Sequence, residues 1–229
     1  MSFEISKFAY LFDPYDQLVK EADEAFQRIK KEYPDLVKCK IHCSDCCYAI
    51  FGIFLIEALF LKYDFERLDK KEKEKALLRA READAQLRKV QERLRQFQDD
   101  PYMINYVLAK ERVRCPLLSE KNECILYPYR PIMCRVYGIP ILIRGSVRVC
   151  YRSGFEKGKV YTTYNLDKTY RELYSITKEM LNVAGVKEKE ERASLMISVS
   201  KAITTPFEKL VRGEVLEDTC EERQCDRQE

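Results

Sequence analysis

The feature that most constrains this chain is an array of cysteines in two parts. Four cysteines occur within a stretch of nine residues and three more follow roughly 70 residues later, so that the array consists of Cys39, Cys43, Cys46, Cys47, Cys115, Cys124 and Cys134. Thiolates bind soft or borderline metals, and the close spacing of the first four lets one short loop or helical turn deliver several of them to one centre. The array therefore predicts a metal site.

The rest of the sequence favours metal ligation over disulfide bonds. Residues 1–12 have Lys7 as their only basic side chain and no long apolar run, so they do not resemble a secretory signal, and we expect the protein in the cytoplasm. In that reducing compartment ten cysteines are more often metal ligands than disulfide partners. A net charge of +3 does not require a nucleic acid, and the apolar run from Tyr48 to Leu61 is too short to span a bilayer. We therefore expect neither a nucleic acid nor a membrane as a partner.

Around the cysteines the sequence resembles a known family. The first part has the pattern Cys-x3-Cys-x2-Cys-Cys, and the second part contains, in order, Cys115-Pro116, Cys124, Tyr127, Arg130, Pro131, Cys134 and Arg135. This arrangement resembles the YkgJ-type cysteine-cluster proteins (CxxCxxCC), which are described as zinc- or iron-chelating domains, over residues 39–63 and 113–139. The flagellin lysine methylases are distantly similar, and their array is associated with an iron–sulfur cluster and S-adenosylmethionine. This chain differs from a minimal family member in its long charged segment between the two parts and in an additional Cys150.

Eight cysteines exceed the four that one zinc ion or one [4Fe-4S] cluster needs, so the sequence allows one metal centre or two. The candidate ligands are Cys39, Cys43, Cys46, Cys47, Cys115, Cys124, Cys134 and Cys150. We place an iron–sulfur cluster of the [4Fe-4S] type ahead of structural zinc. His42, the only histidine, and Tyr127 are expected to support the site from outside the ligand set, with His42 as a ligand the alternative.

Basic residues surround the second part of the array. Residues 128–160 hold seven Lys or Arg side chains and one acid, and guanidinium groups near a thiolate-bound cluster can compensate its negative charge or bind an anionic substrate. Because Pro131 makes the loop rigid, we expect Arg130 to fix the loop through a backbone carbonyl or a carboxylate. We expect Arg135 to bind an anionic ligand, such as the carboxylate of S-adenosylmethionine.

The fold class predicted from these patterns is mainly α: a single helical domain with a loop-built cysteine cluster and a small β-hairpin. Its expected divisions are a domain over 1–213, metal-binding halves at 37–66 and 101–162, a charged helical insertion at 67–100, C-terminal helices at 163–213, and a disordered acidic tail at 214–229. Cys220 and Cys225 in the tail are expected to be free thiols.

Helix signals occur at both ends of the domain. Asp13 is placed to cap a helix that Pro34 ends, and Asp167 is placed to cap a helix that Gly185 ends. Residues 187–204 are predicted to form one further helix.

The middle of the chain contains three more patterns. The apolar run after the first cysteines predicts a strand that turns at Gly52 into a helix, with Glu57 at the helix start or on its exposed face rather than at the metal. Asp69 begins the long charged helix, whose narrow apolar seam over residues 69–98 can pack against the domain, against the next helix or against a second copy. The hairpin is predicted to turn at Gly145-Ser146, with Pro140 marking an edge strand.

Several functional classes are excluded. The sequence has no Walker loop, no G-x-G-x-x-G pattern and no H-E-x-x-H pattern. The first three cysteines match the radical-SAM triplet, but helical patterns rather than repeated βα units follow it. Three classes remain: an enzyme that uses the cluster with S-adenosylmethionine or another small anionic substrate, a non-catalytic metal or redox protein, and a zinc-stabilised interaction module. The partner is an unknown protein or small molecule.

Overall fold

The computed structural model describes residues 5–40 and 42–215, and its architecture is mainly α-helical, as predicted. The α-helices are α1 Phe12–Glu32, α2 Leu55–Glu66, α3 Lys70–Arg95, α4 Pro101–Lys110, α5 Ile132–Val136, α6 Leu166–Val183, α7 Lys189–Ala193, α8 Val199–Thr204 and α9 Phe207–Arg212. Short 3-10 helices cover Ile5–Leu11, Asp45–Tyr48 and Tyr127–Tyr129. In the part of the chain that the structure describes, no helix is both long and apolar enough to cross a membrane.

Two small sheets complete the fold, formed by strands β1 Ile53–Phe54, β2 Ile141–Ile143, β3 Ser146–Arg148, β4 Tyr164–Asn165 and β5 Met196–Ile197. Strand β1 pairs with β5 in an antiparallel arrangement, and β2 lies between β3 and β4. The predicted hairpin is present as the antiparallel pair β2–β3, but it turns at Arg144-Gly145 rather than at Gly145-Ser146, and both turn residues have positive φ. The prediction of an edge strand after Pro140 is wrong, because β4 adds in parallel to the free side of β2.

Helix α2 forms the centre of the core. It is apolar on nearly all sides, and it packs against α1, α6, α8 and α9. The predicted passage from a strand into a helix is present but lies later: the strand is Ile53–Phe54, after Gly52 rather than before it, and the helix begins at Leu55. A helix that is buried all round must be enclosed by other elements, so α2 fixes the positions of the helices around it.

The helix starts differ from the sequence prediction at two places. Asp13 does not cap α1, because a 3-10 helix leads into α1 and places Asp13 inside its first turn. Asp167 does not cap α6: Asn165 accepts the Lys168 N–H instead, and Asp167 accepts the backbone N–H groups of the Arg144–Gly145 turn. The predicted ends are correct, since α1 stops just before Pro34, and Gly185 follows α6 with a positive φ.

Residues 187–204 do not form one helix. The structure has α7 and α8 separated by β5, whose two residues pair with β1. Ser198 then caps α8 by accepting the Lys201 N–H at 3.1 Å. A helical periodicity in the sequence could not reveal this break, because a two-residue strand forms only where a distant partner strand is available.

The long charged helix packs within the chain. Asp69 caps α3 by accepting the Glu72 N–H at 3.0 Å, as predicted. The seam residues Ala76, Ala80 and Ala83 are buried, and α3 packs along α8. Further along, Val90 joins a small apolar cluster with Val113, and residues of α4 pack there too. Two of the three predicted partners for the seam, the domain and the next helix, are therefore present; a homodimer through 69–98 stays a prediction.

Candidate metal centre

The first four cysteines lie on a loop that ends in a single turn of 3-10 helix. Cys39 and Cys43 are in the irregular part, whereas Cys46 and Cys47 are in the turn Asp45–Tyr48. Successive side chains in a 3-10 turn point in different directions, so adjacent Cys46 and Cys47 can serve the same centre or different ones. All eight cysteines of the described residues are partly buried free thiols. Cys220 and Cys225 lie outside the described residues.

Backbone hydrogen bonds join the second part of the array to this loop. The Cys115 N–H donates to the Cys47 carbonyl at 2.6 Å, and the Val113 N–H donates to the Tyr48 carbonyl at 3.1 Å. Arg79 of α3 donates from Nε to the Pro116 carbonyl at 2.7 Å, so the charged helix also holds this segment. The two parts are therefore adjacent in space although 67–100 lies between them in sequence.

Four thiols interact with the sulfur atom of a fifth cysteine, Cys46. We define the Cys46 group as Cys46, Cys47, Cys115, Cys124 and Cys134. The thiols of Cys134 and Cys47 hydrogen-bond to the Cys46 sulfur and lower its pKa, while the pKa of each donor thiol rises in turn. Burial raises the pKa of Cys115 to about 12 and that of Cys124 to about 11. At neutral pH most of this group is therefore protonated, and metal binding has to release protons.

The other three thiols lie next to a buried acid, Asp45. We define the Cys150 group as Cys39, Cys43, Cys150 and Asp45, which together line one small space. The Cys150 sulfur is 3.6 Å from Oδ2 of Asp45. The position of Cys39 depends on Gly138, because a Cβ atom there would lie 2.4 Å from the Cys39 Cβ atom.

A cavity of about 1400 Å³ opens beside the Cys46 group. Seven of the eight cysteines line it, all except Cys150. Its other wall is formed by apolar side chains of α3 and α4, including Leu87, Leu94 and Leu108. The cavity therefore places a ligand-sized space between the thiols and the charged helix.

The two predicted arginines have exchanged roles. Arg135 is the buried one: its guanidinium donates to the carbonyls of Arg130 and Pro128 and to Asp23 on α1. These bonds occupy all three of its nitrogens. Both arginines line the cavity, but Arg130 has fewer fixed partners: it stacks on the Tyr127 ring at 3.8 Å, lies 3.9 Å from Asp23 and acts electrostatically to lower the pKa of Cys46 and Cys124. Arg130 is thus the residue that can meet an anionic group, and Arg135 is the one that fixes the loop.

The other two predicted supporting residues are at the cavity rim. Tyr127 is half exposed and carries the Arg130 guanidinium on its ring. His42 is exposed, has a positive φ of 67°, and its Nδ1 lies 3.3 Å from Oε1 of Glu123 in the second part of the array. In this arrangement His42 links the two parts through Glu123 rather than facing the Cys46 group.

Sequence reasoning missed two buried carboxylates that position the site. Glu57 is at the start of α2, as expected, but it is buried rather than exposed: Oε2 accepts the Phe54 N–H and Oε1 accepts the Ile132 N–H, each at 3.0 Å. It therefore ties the core helix to α5, which carries Cys134. A single acid within an apolar run was the signal for Glu57. Nothing in the sequence indicated that Asp45 is buried, because an acid beside cysteines on a loop is usually exposed.

The donors match a zinc or iron site by chemical type but are not preassembled. Among residues 5–40 and 42–215, no three or more His, Cys, Asp or Glu side chains are arranged as the ligands of one metal ion. The Cys46 group nevertheless supplies five soft donors from three segments, next to a compensating guanidinium. The thiols fit the metal chemically and have to move inward to enclose it.

Comparison with known proteins agrees with this chemistry. Residues 38–141, just under half of the chain, match the CxxCxxCC family model, described as "Putative zinc- or iron-chelating domain". No curated protein and no solved structure shows a significant similarity to the chain. The matched range contains seven of the eight clustered cysteines, and the description names zinc and iron alike. The resemblance predicted from the cysteine array is therefore confirmed, since residues 38–141 match the model of this family of zinc- or iron-chelating domains, and the match supports metal binding.

Proposed function

We propose that the Cys46 group holds an iron–sulfur cluster of the [4Fe-4S] type. The observation that supports this best is that Cys47 and Cys134 hydrogen-bond to Cys46 while Cys115 and Cys124 are close enough to act on the same thiols, since such a cluster takes four cysteine thiolates. When bound, the cluster would supply electron transfer or, at an iron with an open position, a binding point for a small ligand. Arg130 lies near the thiols and offsets part of the negative charge that four thiolates bring.

The experiment is metal and sulfide analysis of protein purified without oxygen. We expect about four iron atoms and four sulfides per chain and a brown colour. A colourless protein with one or two zinc ions and no acid-labile sulfide would replace this proposal with the zinc-stabilised interaction module.

A second candidate is an enzyme that uses S-adenosylmethionine, in the manner of the flagellin lysine methylases that the array resembles. The cavity favours it, because a space of about 1400 Å³ beside the thiols, with Arg130 in its wall, can admit a small anionic molecule. In this role Arg130 binds and orients the carboxylate through paired hydrogen bonds, and α3 and α4 cover the ligand from the far side.

Calorimetric titration with S-adenosylmethionine tests the second candidate. Wild type should bind, Arg130→Lys should weaken binding about tenfold or more, and Arg148→Lys on the exposed strand β3 should bind as wild type does. If loaded wild type does not bind this ligand, the non-catalytic metal protein becomes the better description.

A further inference from the structure

The Cys150 group has a small space of its own beside the large cavity, and its members Cys39 and Cys43 line both. Cys150 lies outside residues 38–141 and does not line the large cavity. It lines a second, small space of about 20 Å³ together with Cys39, Cys43 and Asp45, and Cys46 of the other group borders the same space. A space of this size holds one ion or one water molecule and is far too small for a four-iron cluster.

Asp45 is oriented toward this space. Its side chain is 1% exposed. Its Oδ1 atom accepts a hydrogen bond from the Arg112 guanidinium and lies 3.6 Å from Nε of Arg152. The other carboxylate oxygen, Oδ2, faces the Cys150 sulfur at 3.6 Å. A carboxylate whose one oxygen is fixed by guanidinium groups and whose other oxygen points at a thiol is arranged as carboxylate ligands of zinc are.

The charges around the space suit a divalent cation. Three thiolates and one carboxylate carry four negative charges, and a divalent ion neutralises half of them. Arg112, Arg152 and Lys38 lie at the edge of the group and can offset the remainder. The Cys46 group needs none of these donors, because it already has one thiol more than a four-ligand centre requires.

We propose that Cys39, Cys43, Cys150 and Asp45 form a second metal site that binds one zinc ion in four-coordinate geometry. The donors surround the space rather than meeting at a point, so binding draws them inward. The site joins the first cysteine loop to the segment after the β2–β3 hairpin, which the family match does not include. The inference extends the proposed function to a second centre and has its own readout.

The test is the metal content of anaerobically purified variants, with iron and zinc measured on the same samples. Wild type should carry about one zinc ion in addition to its iron. Cys150→Ser should lose the zinc and keep the iron, whereas Cys124→Ser should lose the iron and keep the zinc. Cys225→Ser, which removes a thiol from outside both groups, should keep both metals.

Asp45→Asn provides the second line of the test. It should weaken zinc binding by about tenfold or more in a competition titration with a chelator, since a neutral amide is a poorer ligand than a carboxylate. Circular dichroism on each variant checks that the helical fold is retained. Zinc retained in both Cys150→Ser and Asp45→Asn would overturn the second site, as would loss of iron together with zinc in Cys150→Ser.

The wild-type result separates this inference from the proposed function. Iron and sulfide without any zinc would overturn the second site and leave the cluster in place. Zinc that Cys150→Ser removes, in a protein with neither iron nor sulfide, would overturn the cluster and support the second site.

Discussion

At the scale of single residues, Glu57 determines how the core helix meets the cysteine-bearing loop. Its two carboxylate oxygens accept hydrogen bonds from two different backbone N–H groups, those of Phe54 and Ile132. Burial raises its pKa from the ordinary value of 4.5 to about 7. Between these two pH values the folded protein holds a proton that the unfolded chain has released. The contribution of Glu57 to the free energy of unfolding is therefore fully present below about pH 4.5 and is lost as the pH rises through 7.

We predict that Glu57→Gln removes this pH dependence. In wild type the free energy of unfolding should fall by up to roughly 3 kcal/mol between pH 4.5 and pH 8, as the shift in pKa implies. In Glu57→Gln it should be flatter, and about 1–3 kcal/mol lower at low pH, because an amide can accept only one of the two N–H groups. Urea denaturation across this range measures both effects.

Glu24→Gln is the matched control, since Glu24 is exposed on α1. It should retain the full wild-type pH dependence. Metal content is measured in every sample, so that metal loss at low pH is not mistaken for an effect of Glu57. Equal pH dependence in wild type and Glu57→Gln would contradict the assignment.

The arginine pair gives a second prediction. Arg135→Lys should lower the free energy of unfolding by about 2–4 kcal/mol, because an ammonium group cannot reach two carbonyls and a carboxylate at once. Arg130→Lys should cost less than about 1 kcal/mol, since Arg130 makes a long hydrogen bond to the Tyr127 carbonyl, a ring contact and a 3.9 Å ion pair with Asp23 that a lysine can keep in part. Chemical denaturation of the two variants side by side is the measurement. A larger loss in Arg130→Lys would restore the role that the sequence suggested for it.

Residue types at the site were predictable, and their partners were not. Eight thiols could be recognised because cysteine in a reducing compartment has few other uses in such numbers. The roles of Arg130 and Arg135 could not be separated, because both occur beside Pro131 and Cys134 and only the fold decides which one is buried and donates to backbone carbonyls. The same holds for Asp45, whose burial depends on Arg112, a residue 67 positions away.

At the scale of structural elements, the contact between the end of α5 and the first cysteine loop is unusually close. A side chain at Gly138 would overlap Cys39, whose sulfur would lie 3.1 Å from the new Cβ atom. We predict that Gly138→Ala lowers stability by about 1–3 kcal/mol and also reduces metal content. The reason is that the displaced segment carries Cys39 and leads to Cys43.

Gly52→Ala separates these two effects. A Cβ atom there would lie 2.6 Å from the Met196 Cβ atom, so the overlap is similar, but the neighbour is a strand residue rather than a cysteine. Thermal unfolding should show a comparable loss of stability, while metal content per chain should stay at the wild-type level. Equal metal loss in the two variants would show that the Cys39 contact has no special role.

Long elements were predicted better than short ones. Asp69 and the alanine seam identified α3 because a cap and a periodic face are local properties of the sequence. Strands β4 and β5 escaped prediction because each has two residues, and their pairing depends on β2 and β1 rather than on their own composition.

At the scale of the whole molecule, the cysteines and the apolar core are two separate sources of stability. Leu55, Leu59 and Leu61 of α2 are fully buried without any contribution from the metal site. We predict that removing the metal with a chelator lowers the free energy of unfolding by several kcal/mol, while the helical circular dichroism signal persists below the new transition. Hydrogen exchange should increase first at Val113 and Cys115, whose amides bond to the first loop. An unchanged melting curve after demonstrated metal loss would contradict the prediction.

Because the two cysteine segments are far apart in the sequence, they leave the ribosome at different times during synthesis. Roughly 90 residues lie between Cys47 and Cys134, and synthesis of that length takes on the order of 5–20 seconds. During this interval the first four thiols have left the ribosome without the partners that enclose them in the folded chain. A metal delivered then would meet an incomplete set of ligands, open to oxidation and to exchange with other thiols. Productive loading therefore belongs to the time after Cys134 has emerged, when the Cys115 amide can close onto Cys47.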